Sequence, residues 1–486
     1  MNFVIIGAGP AGVRAVETLR ENDPEANITL VSGEPGEPYA RMAIPYILNG
    51  AIDDVGAHQR RAPQHLQALG IRYLHGKALK VHAGANGGQV DLDDGTQLPY
   101  DRLLVATGSS PSLPPIPGTD VPGAVTCWTL EDAHQIAAKL KPGARVIMLG
   151  AGFVAGVCMK SLVNSGAKLS VVAGRSGQIL RSMMTPVGSG MLQRWLEGRG
   201  VEVITTGRTL GIEAGPRLVM DTRSIDADLI ILATGVHPNV AFLEGTGAEI
   251  RSGVVIDAHM RTTAPHIYAA GDVAQGRDFS TGEWVVHALQ PTATEHGRIA
   301  ALNMLGKDVP YRGSLSMNVL DTVGLISHTF GLWDGIPGGD HTEVVDETNF
   351  IYTRLCFDGD QLIGAITIGH PHHVGAIRGL IQSHRHLGAW KDELMKNPHL
   401  VMDAFVDLNN GWRDGRLRAK LSTTATLHVQ IKALHKGVAL RIVQPGEAKA
   451  HFQNWDADQA NDTWRGHLPL QAQRTVANAH ARCAGL

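Results

Sequence analysis

Three glycines near the beginning of the chain have the spacing G-x-G-x-x-G, which is typical of a turn that binds a dinucleotide phosphate. Gly7, Gly9 and Gly12 follow an apolar run at 3–6 that predicts a buried strand, and they precede a predicted helix at 11–20. The first glycine makes the sharp turn, the second exposes backbone to a pyrophosphate, and the third lets the helix pack on the strand. The helix start adds free N–H groups and a positive dipole end.

The pattern occurs twice. In the first unit, a strand predicted at 27–31 leads to Glu34, about 20 residues after the glycines, where a carboxylate holds a ribose hydroxyl. The second unit runs over 144–156 and is followed by a predicted strand at 168–172. Later in each unit a strand stops abruptly at the same tripeptide, Ala-Thr-Gly. A repeated unit of this kind predicts two bound dinucleotides.

Two further segments offer ligand-binding groups. A strand predicted to begin at 267 ends in Gly271-Asp272, which places a carboxylate and bare backbone at the edge of an open sheet where ligands bind. The Pro-rich loop 35–46 carries two tyrosines and an arginine, and we expect it to pack on a planar group.

The four cysteines form no C-x-x-C or similar redox or metal motif. We expect four reduced thiols, mostly buried as small hydrophobic groups, although a pair that is distant in sequence can still meet in space. The cysteines are Cys127, Cys158, Cys356 and Cys483.

A histidine cluster at 370–373, with His384 and His386 on the next helix, invites a metal hypothesis. No carboxylate or cysteine completes a ligand set, so we predict neutral surface or interface histidines and no metal.

Length and charge bound the remaining possibilities. At 486 residues the chain is expected to form two to four domains. Its 43 basic and 46 acidic residues argue against a nucleic-acid or anionic-membrane surface. No apolar run approaches the length of a spanning helix, and no signal peptide is evident. We therefore expect a soluble cytoplasmic protein.

The predicted fold class is α/β, with two dinucleotide-binding (Rossmann-like) domains, a C-terminal α+β domain and a small appended α+β segment. The predicted boundaries are 1–117 with 240–315, then 118–239, 316–408 and 409–486. Within them we predict a long helix over 284–305, with Thr292 or Thr294 as its N-cap after Pro291. The other predicted elements are strands at 350–357 and 361–368, helices near 373–386 and 397–408, and appended strands at 426–433 and 439–443 with two polar helices.

Together these motifs resemble the FAD-dependent pyridine nucleotide-disulfide oxidoreductases. The most similar branch holds ferredoxin and rubredoxin reductases, NADH oxidases, CoA-disulfide reductases and the flavin part of NADH-nitrite reductase. The resemblance covers roughly residues 1–405, because five motifs occur in the family's order. It implies an FAD and a nicotinamide nucleotide, and an interface domain that builds a homodimer.

The resemblance also implies a role for individual residues. Phe153 corresponds to the family's aromatic gate over the flavin, and Tyr46 lies where relatives keep a lysine beside it. The implied nicotinamide nucleotide site includes Gly150, Gly152, Ala155, Arg175 and Gly235. The implied FAD contacts are Gly7, Gly9, Pro10, Gly12, Glu34, Tyr39, Arg41, Ala106, Thr107, Gly108, Gly271, Asp272, His296 and Gly297.

Three positions depart from the family pattern. Met42 stands where disulfide- and peroxide-reducing branches carry a catalytic cysteine, and a thioether forms neither a mixed disulfide nor a sulfenic acid. Tyr46 and Val157 replace the lysine and glutamate of ferredoxin-reductase relatives, so that neither charge is left unpaired. Tyr46 either packs on the flavin ring or forms a hydrogen bond.

The strand end 171–175 bears on cofactor choice. It has no acidic residue for a ribose diol, and Arg175 can neutralise a 2′-phosphate, which favours NADPH. NADH binding beside a solvated arginine, or a site that no longer binds a nucleotide, remains open.

The predicted function is hydride transfer from NAD(P)H to FAD and onward transfer of electrons to an external acceptor without a cysteine relay. A small iron–sulfur protein, a partner subunit, a quinone-like molecule or O₂ can serve. We favour a protein partner, because the segment 410–486 can form a docking surface, although it can equally stabilise an oligomer. The alternative is a structural FAD subunit of a larger complex with a degenerate nicotinamide site.

Overall fold

The computed structural model describes residues 1–62, 64–174, 177–369, 372–409, 428–434 and 437–443. Residues 1–409 form one compact unit. Within the described ranges, no helix combines the length and the apolar character needed to cross a membrane.

The first region of the chain supplies one parallel and one antiparallel sheet. Its elements are β1 (Asn2–Ile6), α1 (Pro10–Asn22), β2 (Asn27–Ser32), α2 (Ile44–Leu48), α3 (Asp54–Ala57), α4 (His65–Ala68), β3 (Arg72–His75), β4 (Ala78–Gly84), β5 (Gly87–Leu92), β6 (Gln97–Tyr100), β7 (Arg102–Val105) and β8 (Ser109–Pro111).

The second region repeats the arrangement. Its elements are β9 (Ala124–Thr126), α5 (Leu130–Lys139), β10 (Arg145–Leu149), α6 (Phe153–Asn164), β11 (Lys168–Val172), α7 (Pro186–Glu197), β12 (Glu202–Ile204), β13 (Thr209–Glu213), β14 (Arg217–Met220), β15 (Ser224–Asp226), β16 (Leu229–Leu232) and β17 (Val236–Pro238).

The chain then returns to the first sheet before building the α+β unit. The returning elements are β18 (Val254–Val255), β19 (Ile267–Ala269), β20 (Ala274–Arg277), β21 (Trp284–Val285) and α8 (Gln290–Met304). The α+β unit has β22 (Met317–Thr322), β23 (Leu325–Gly331), β24 (Asp340–Asp346), β25 (Ile351–Asp358), β26 (Gln361–Ile368), α9 (Val374–Ser383), α10 (Ala389–Lys396) and α11 (Val401–Asn409).

Two parallel five-stranded sheets carry the molecule's repeat. Their strand orders are β3-β2-β1-β7-β19 and β12-β11-β10-β16-β9. In both, the central strand leads into a glycine turn, and its neighbour on one side ends in Ala-Thr-Gly. The strands are almost wholly apolar because both faces of a parallel sheet are covered. The predicted fold class is confirmed.

The first glycine of each turn is held against the neighbouring strand's end. Gly7 has φ +109°, and a Cβ there would lie 2.1 Å from the carbonyl oxygen of Ala106. Gly150 has φ +112°, and its Cβ would lie 2.2 Å from the carbonyl oxygen of Ala233. Only glycine fits such a contact and such a φ. The first glycine of each motif and the alanine of the matching Ala-Thr-Gly tripeptide are therefore in direct contact, and this contact occurs once in each sheet.

The α+β unit has an antiparallel sheet of order β22-β23-β26-β25-β24. Phe357 and Leu380 pack in its core with α9, α10 and α11. The predicted strand 361–368 has the observed bounds, and the helix predicted near 397–408 corresponds to α11, which follows the turn 398–400. Helix α10 has no counterpart among the predicted elements. The predicted domain boundaries remain a prediction.

A separate hairpin follows in the second compact unit, residues 410–486. Strands β27 (His428–Leu434) and β28 (Gly437–Val443) pair antiparallel. They correspond to the predicted strands 426–433 and 439–443. The two predicted polar helices lie outside the described residues.

Helix α8 begins later than predicted, and its predicted caps are wrong. The segment at 284–285 is a strand, and the N-cap is Leu289, with no side-chain cap. Pro291 determines this start, because a proline in the first helical turn needs no N–H partner. Thr294 lies inside the helix and donates its hydroxyl to the carbonyl of Gln290.

The packing of α8 on α1 depends on Gly297. A Cβ at Gly297 would lie 2.1 Å from the carbonyl oxygen of Ala11. One residue earlier, His296 is only 3 % exposed, and neither ring nitrogen has a hydrogen-bond partner. Its ring packs edge-on against Tyr311. Burial lowers the pKa of His296 to about 4, so the imidazole is neutral in the folded protein at pH 7.

We expect Gly297→Ala to lower the free energy of unfolding by about 1–3 kcal/mol, because α1 and α8 must separate to admit the methyl group. The matched control is Gly375→Ala in α9, where a Cβ meets no atom within 4 Å. The free energy of unfolding of that variant should be unchanged or higher by up to about 1 kcal/mol. Urea unfolding of both variants measures the difference, and equal effects would contradict the close packing.

We expect His296→Leu to weaken the loss of stability on acidification. The unfolded imidazole binds a proton near pH 6.5, whereas the folded one binds it only near pH 4. The wild type therefore loses about 2 kcal/mol between pH 7 and pH 5 through this group, and the variant does not. His341→Leu, at an exposed histidine, is the control. An unchanged pH dependence in His296→Leu would mean that the ring is charged or solvated when folded.

Candidate functional site

One cleft of about 1260 Å³ lies where the glycine turns of the two parallel sheets meet. This exceeds the 300–1,000 Å³ of a common ligand pocket. The first turn contributes Gly7, Gly9 and Pro10 to its lining, and the second contributes Gly150 and Gly152. The two predicted nucleotide sites therefore open into the same space.

The middle glycine of each turn leaves room for a ligand. A Cβ at Gly9 or Gly152 would meet no atom within 4 Å. Both residues are helix N-caps without a side-chain hydrogen bond, so the first N–H groups of α1 and α6 remain available to an anion. These cradles fit the pyrophosphates of two dinucleotides.

The residue at the third position of the glycine motif packs against protein atoms and does not face the ligand space. A Cβ at Gly12 would lie 1.9 Å from the carbonyl oxygen of Gly7, and Gly12 does not line the cleft. In the second turn Ala155 is fully buried, and a Cβ at Gly156 would lie 2.7 Å from Leu320 of β22. The second helix therefore packs against the α+β unit at this point.

The predicted ribose-binding residue Glu34 lies in the cleft wall within a polar network. Its carboxylate accepts a hydrogen bond of 2.6 Å from the Tyr39 hydroxyl and pairs with Arg41. A carboxylate has further lone pairs, so it can accept ribose hydroxyls in addition. Burial, with Glu34 close by, raises the pKa of the Tyr39 hydroxyl far above its usual value, so Tyr39 remains a donor.

Arg41 connects this network to the second region of the chain. It donates to the carbonyl of Trp128 at 2.5 Å, and its guanidinium lies 5.4 Å from the centre of the Trp128 ring. The Trp128 indole N–H in turn donates to the carbonyl of Ser109. The Pro-rich loop is thereby held across the cleft.

Asp272 supplies a buried carboxylate at the same edge. Burial raises its pKa, and its only described partner is the Ser109 hydroxyl, at a long 3.5 Å. An under-satisfied carboxylate facing a cleft suits a hydroxyl-bearing ligand. The preceding Gly271 has φ +76° and approaches Ala11 and Ala293, which places the turn between α1 and α8.

The two Ala-Thr-Gly ends form the floor of the cleft and the crossing between the sheets. Thr107 donates its hydroxyl to the carbonyl of Asn239, and the Asn239 amide donates back to the carbonyl of Thr107. The following strands, β8 and β17, pair antiparallel. All six residues of the two tripeptides line the cleft: Ala106, Thr107, Gly108, Ala233, Thr234 and Gly235.

Phe153 is the first residue of α6 and lines the cleft beside the second cradle. Val157, one turn further along the helix, also lines it. Met42 lines it from the Pro-rich loop and is 47 % exposed. The aromatic ring predicted as a gate therefore lines the cleft, together with the apolar side chains of Val157 and Met42 at two of the replaced positions.

Besides Gly12 and Ala155, three predicted site residues do not line the cleft. Tyr46 is 55 % exposed, and Pro45 of the same helix lines the cleft in its place. His296 and Gly297 lie one turn too far along α8, whose beginning supplies the lining instead: Leu289, Gln290 and Ala293. Arg175 lies outside the described residues.

Several residues that line the cleft belong to no recognisable sequence motif and are therefore not predicted as site residues. His287 lines the cleft, and its Nε2 lies 2.9 Å from the carboxylate of Asp278, both side chains being buried. Burial alone would raise the pKa of Asp278, but His287 and backbone N–H groups lower it. Asn239 and Trp128 likewise reach the cleft through long-range contacts.

Among the described residues, no group of three or more histidine, cysteine, aspartate or glutamate side chains is placed to hold a metal ion. His384 stacks on Phe279, and His386 pairs with Asp360. The described cysteines are reduced and buried, and two of them, Cys127 and Cys158, are in contact.

Comparisons with known proteins agree with this geometry. The family model described as pyridine nucleotide-disulphide oxidoreductase matches residues 1–297. The NADH-dependent phenylglyoxylate dehydrogenase subunit epsilon of Aromatoleum evansii is 31 % identical over 412 residues, which cover 82 % of this chain and 96 % of that protein. The anthranilate 1,2-dioxygenase system ferredoxin–NAD(+) reductase component of Burkholderia cepacia is 30 % identical over 423 residues, which cover 83 % and 99 %.

Among solved structures, putidaredoxin reductase in its covalent complex with putidaredoxin superposes with a TM-score of 0.77. It shares 23 % identity and covers 84 % of this chain and 99 % of its own, which shows a common fold. The predicted pairing of FAD with a nicotinamide nucleotide is confirmed at the level of the family. The chain belongs to the pyridine nucleotide-disulphide oxidoreductase family.

Proposed function

We propose that the chain takes a hydride from NAD(P)H onto FAD and delivers the electrons to an external acceptor protein. The observation that supports this most is the pair of glycine cradles opening into one cleft, with Phe153 lining the cleft beside the second cradle. Two dinucleotides bound there would bring their reactive rings together, as hydride transfer requires.

When bound, FAD supplies the chemistry, because it accepts a hydride and gives up electrons singly or in pairs. The chain's own residues position and enclose it. The first N–H groups of α1 would hold one pyrophosphate, Glu34 would hold a ribose and Asp272 would hold a further hydroxyl, since all three line the cleft. Phe153, which lines the cleft, would cover the ring until nicotinamide displaced it and would so exclude water from the reacting edge.

The acceptor has to approach the flavin directly. Met42 occupies the position of the family's catalytic cysteine and offers no covalent relay. We favour a protein acceptor because one relative is named as a ferredoxin reductase component. Another relative is named as a dehydrogenase subunit, which supports the second candidate, an FAD subunit within a larger complex.

We further propose that the chain forms a homo-oligomer through its α+β unit. The resemblance of this unit to the family's interface domain motivates this assignment. Sedimentation at several protein concentrations tests it. The NADPH preference rests on Arg175 and remains a sequence-based proposal.

We expect the purified protein to be yellow and its visible absorbance to bleach within milliseconds to seconds of mixing with NADH or NADPH without oxygen. Stopped-flow absorbance measures the rate with each nucleotide and thus also tests the preference for NADPH. Bleaching by neither nucleotide, with FAD present, would support the structural-subunit alternative and overturn the reductase assignment.

We expect the matched variants Gly9→Val and Gly152→Val to fold but to lose different ligands. A Cβ at either position meets no protein atom within 4 Å, so we expect each added side chain to extend into the space that a pyrophosphate would occupy. Gly9→Val should be isolated without FAD. Gly152→Val should retain FAD and bind NAD(P)H at least about tenfold more weakly, a loss of about 1.4 kcal/mol.

Spectra of the isolated variants and nucleotide titrations monitored by absorbance measure these losses. Each variant is the control for the other, since both place the same side chain at an equivalent turn. Full FAD occupancy in Gly9→Val, or unchanged nucleotide affinity in Gly152→Val, would contradict the assignment of that cradle.

A further inference from the structure

Two cysteines that are far apart in the sequence meet in the wall of the cleft. The Sγ atoms of Cys127 and Cys158 lie 3.4 Å apart, close enough for an S–H···S hydrogen bond. Cys127 follows β9 in the connection to α5, and Cys158 lies in the middle of α6. Both are reduced in this structure, and they are 5 % and 3 % exposed.

The position of the pair connects it to the cofactors. Cys127 and Cys158 both line the cleft, beside Trp128 and Val157. Cys158 belongs to the same helix that begins with Phe153 at the second cradle. The third described cysteine, Cys356, lies in the α+β unit, where its thiol donates to the carbonyl of Trp333.

The geometry permits a disulfide with a small movement. A disulfide has an S–S length of about 2.05 Å, so the two sulfurs must approach by roughly 1.4 Å. Cys158 is fixed by its helix, whereas Cys127 lies in a short connection between a strand and a helix. A change of side-chain torsion at Cys127 can therefore supply most of the approach.

The local environment favours a neutral thiol at Cys127. The hydrogen bond with Cys158, followed by burial, raises the pKa of the Cys127 thiol well above its usual value. Thiols with a low pKa make the disulfide a strong oxidant, whereas the raised pKa of the Cys127 thiol favours the opposite direction, in which the dithiol gives its electrons away. Its near-complete burial also prevents direct exchange with an external disulfide.

We propose that Cys127 and Cys158 are a second two-electron site, a dithiol–disulfide couple that exchanges electrons with the FAD of the same cleft. This inference rests on the proposed function. On oxidation both S–H bonds break and one S–S bond forms. The two electrons and one proton reduce the flavin, and the second proton goes to solvent. The reverse step stores two electrons from reduced flavin as two thiols.

The cysteine couple stores two electrons and does not pass them directly to the acceptor protein. Its sulfurs are shielded from a docked protein, so electrons leave through the flavin in either case. The stored pair lets the chain accept two hydrides in succession before the acceptor arrives.

Anaerobic titration of the oxidised holoprotein with dithionite tests the couple. The wild type should take up about four electrons per chain, whereas Cys127→Ala and Cys158→Ala should each take up about two. Cys356→Ala, at a buried cysteine outside the cleft, is the control and should resemble the wild type. An uptake of about two electrons by the wild type would overturn the proposal.

A second readout does not depend on activity. Oxidised and reduced protein are unfolded in iodoacetamide, and the mass of the alkylated chain is measured. The oxidised wild type should carry two fewer labels than the reduced form, and the peptides containing Cys127 and Cys158 should be cross-linked. Equal labelling of both forms would overturn the proposal.

The two hypotheses fail in different ways. Bleaching by NAD(P)H after about two electrons in every variant supports the proposed function and rejects the couple. An uptake of about four electrons from dithionite, with no bleaching by either nucleotide, supports the couple and rejects hydride entry from NAD(P)H.

Discussion

The close approach of two backbone segments, made once in each nucleotide-binding sheet, is the constraint on which the rest of the structure depends. Gly7 and Gly150 each lie against a carbonyl of the neighbouring strand end, with no room for a side chain. This contact brings the start of a helix and the end of an adjacent strand to the same edge of the sheet. The helix start can bind a phosphate, and the strand end forms the floor of the cleft on which a cofactor ring can lie. The same backbone contact positions both.

Much of the fold is predictable from short-range pattern. The strand predicted at 168–172 and the helix starts after the glycines coincide with the structure, since apolar runs and glycine turns are local properties. The start of α8 is less predictable, because Pro291 and the buried surroundings outweigh the preference of threonine for a cap. The glycine motifs predict the cradles for the same local reason.

The rest of the site depends on contacts between distant parts of the chain. Arg41 contacts Trp128, and Cys127 contacts Cys158, but no spacing pattern in the sequence predicts either contact. Position along a helix is also hard to assign from a motif alone. His296 and Gly297 are expected at the cofactor but lie one turn beyond the cleft lining, where Gly297 packs α8 on α1 and His296 packs on Tyr311. Tyr46 similarly faces outward, while its neighbour Pro45 meets the cleft.

The pairing of β8 with β17 has a mechanical consequence. The chain crosses between the two sheets once in each direction, and the two crossings form a ribbon instead of independent tethers. Asn239 and Thr107 fasten this ribbon at its base, at the floor of the cleft. Such a ribbon resists stretching and shear but twists readily. Relative movement of the two sheets is therefore expected to be smallest beside the two strand ends, at the floor of the cleft where the two glycine turns meet.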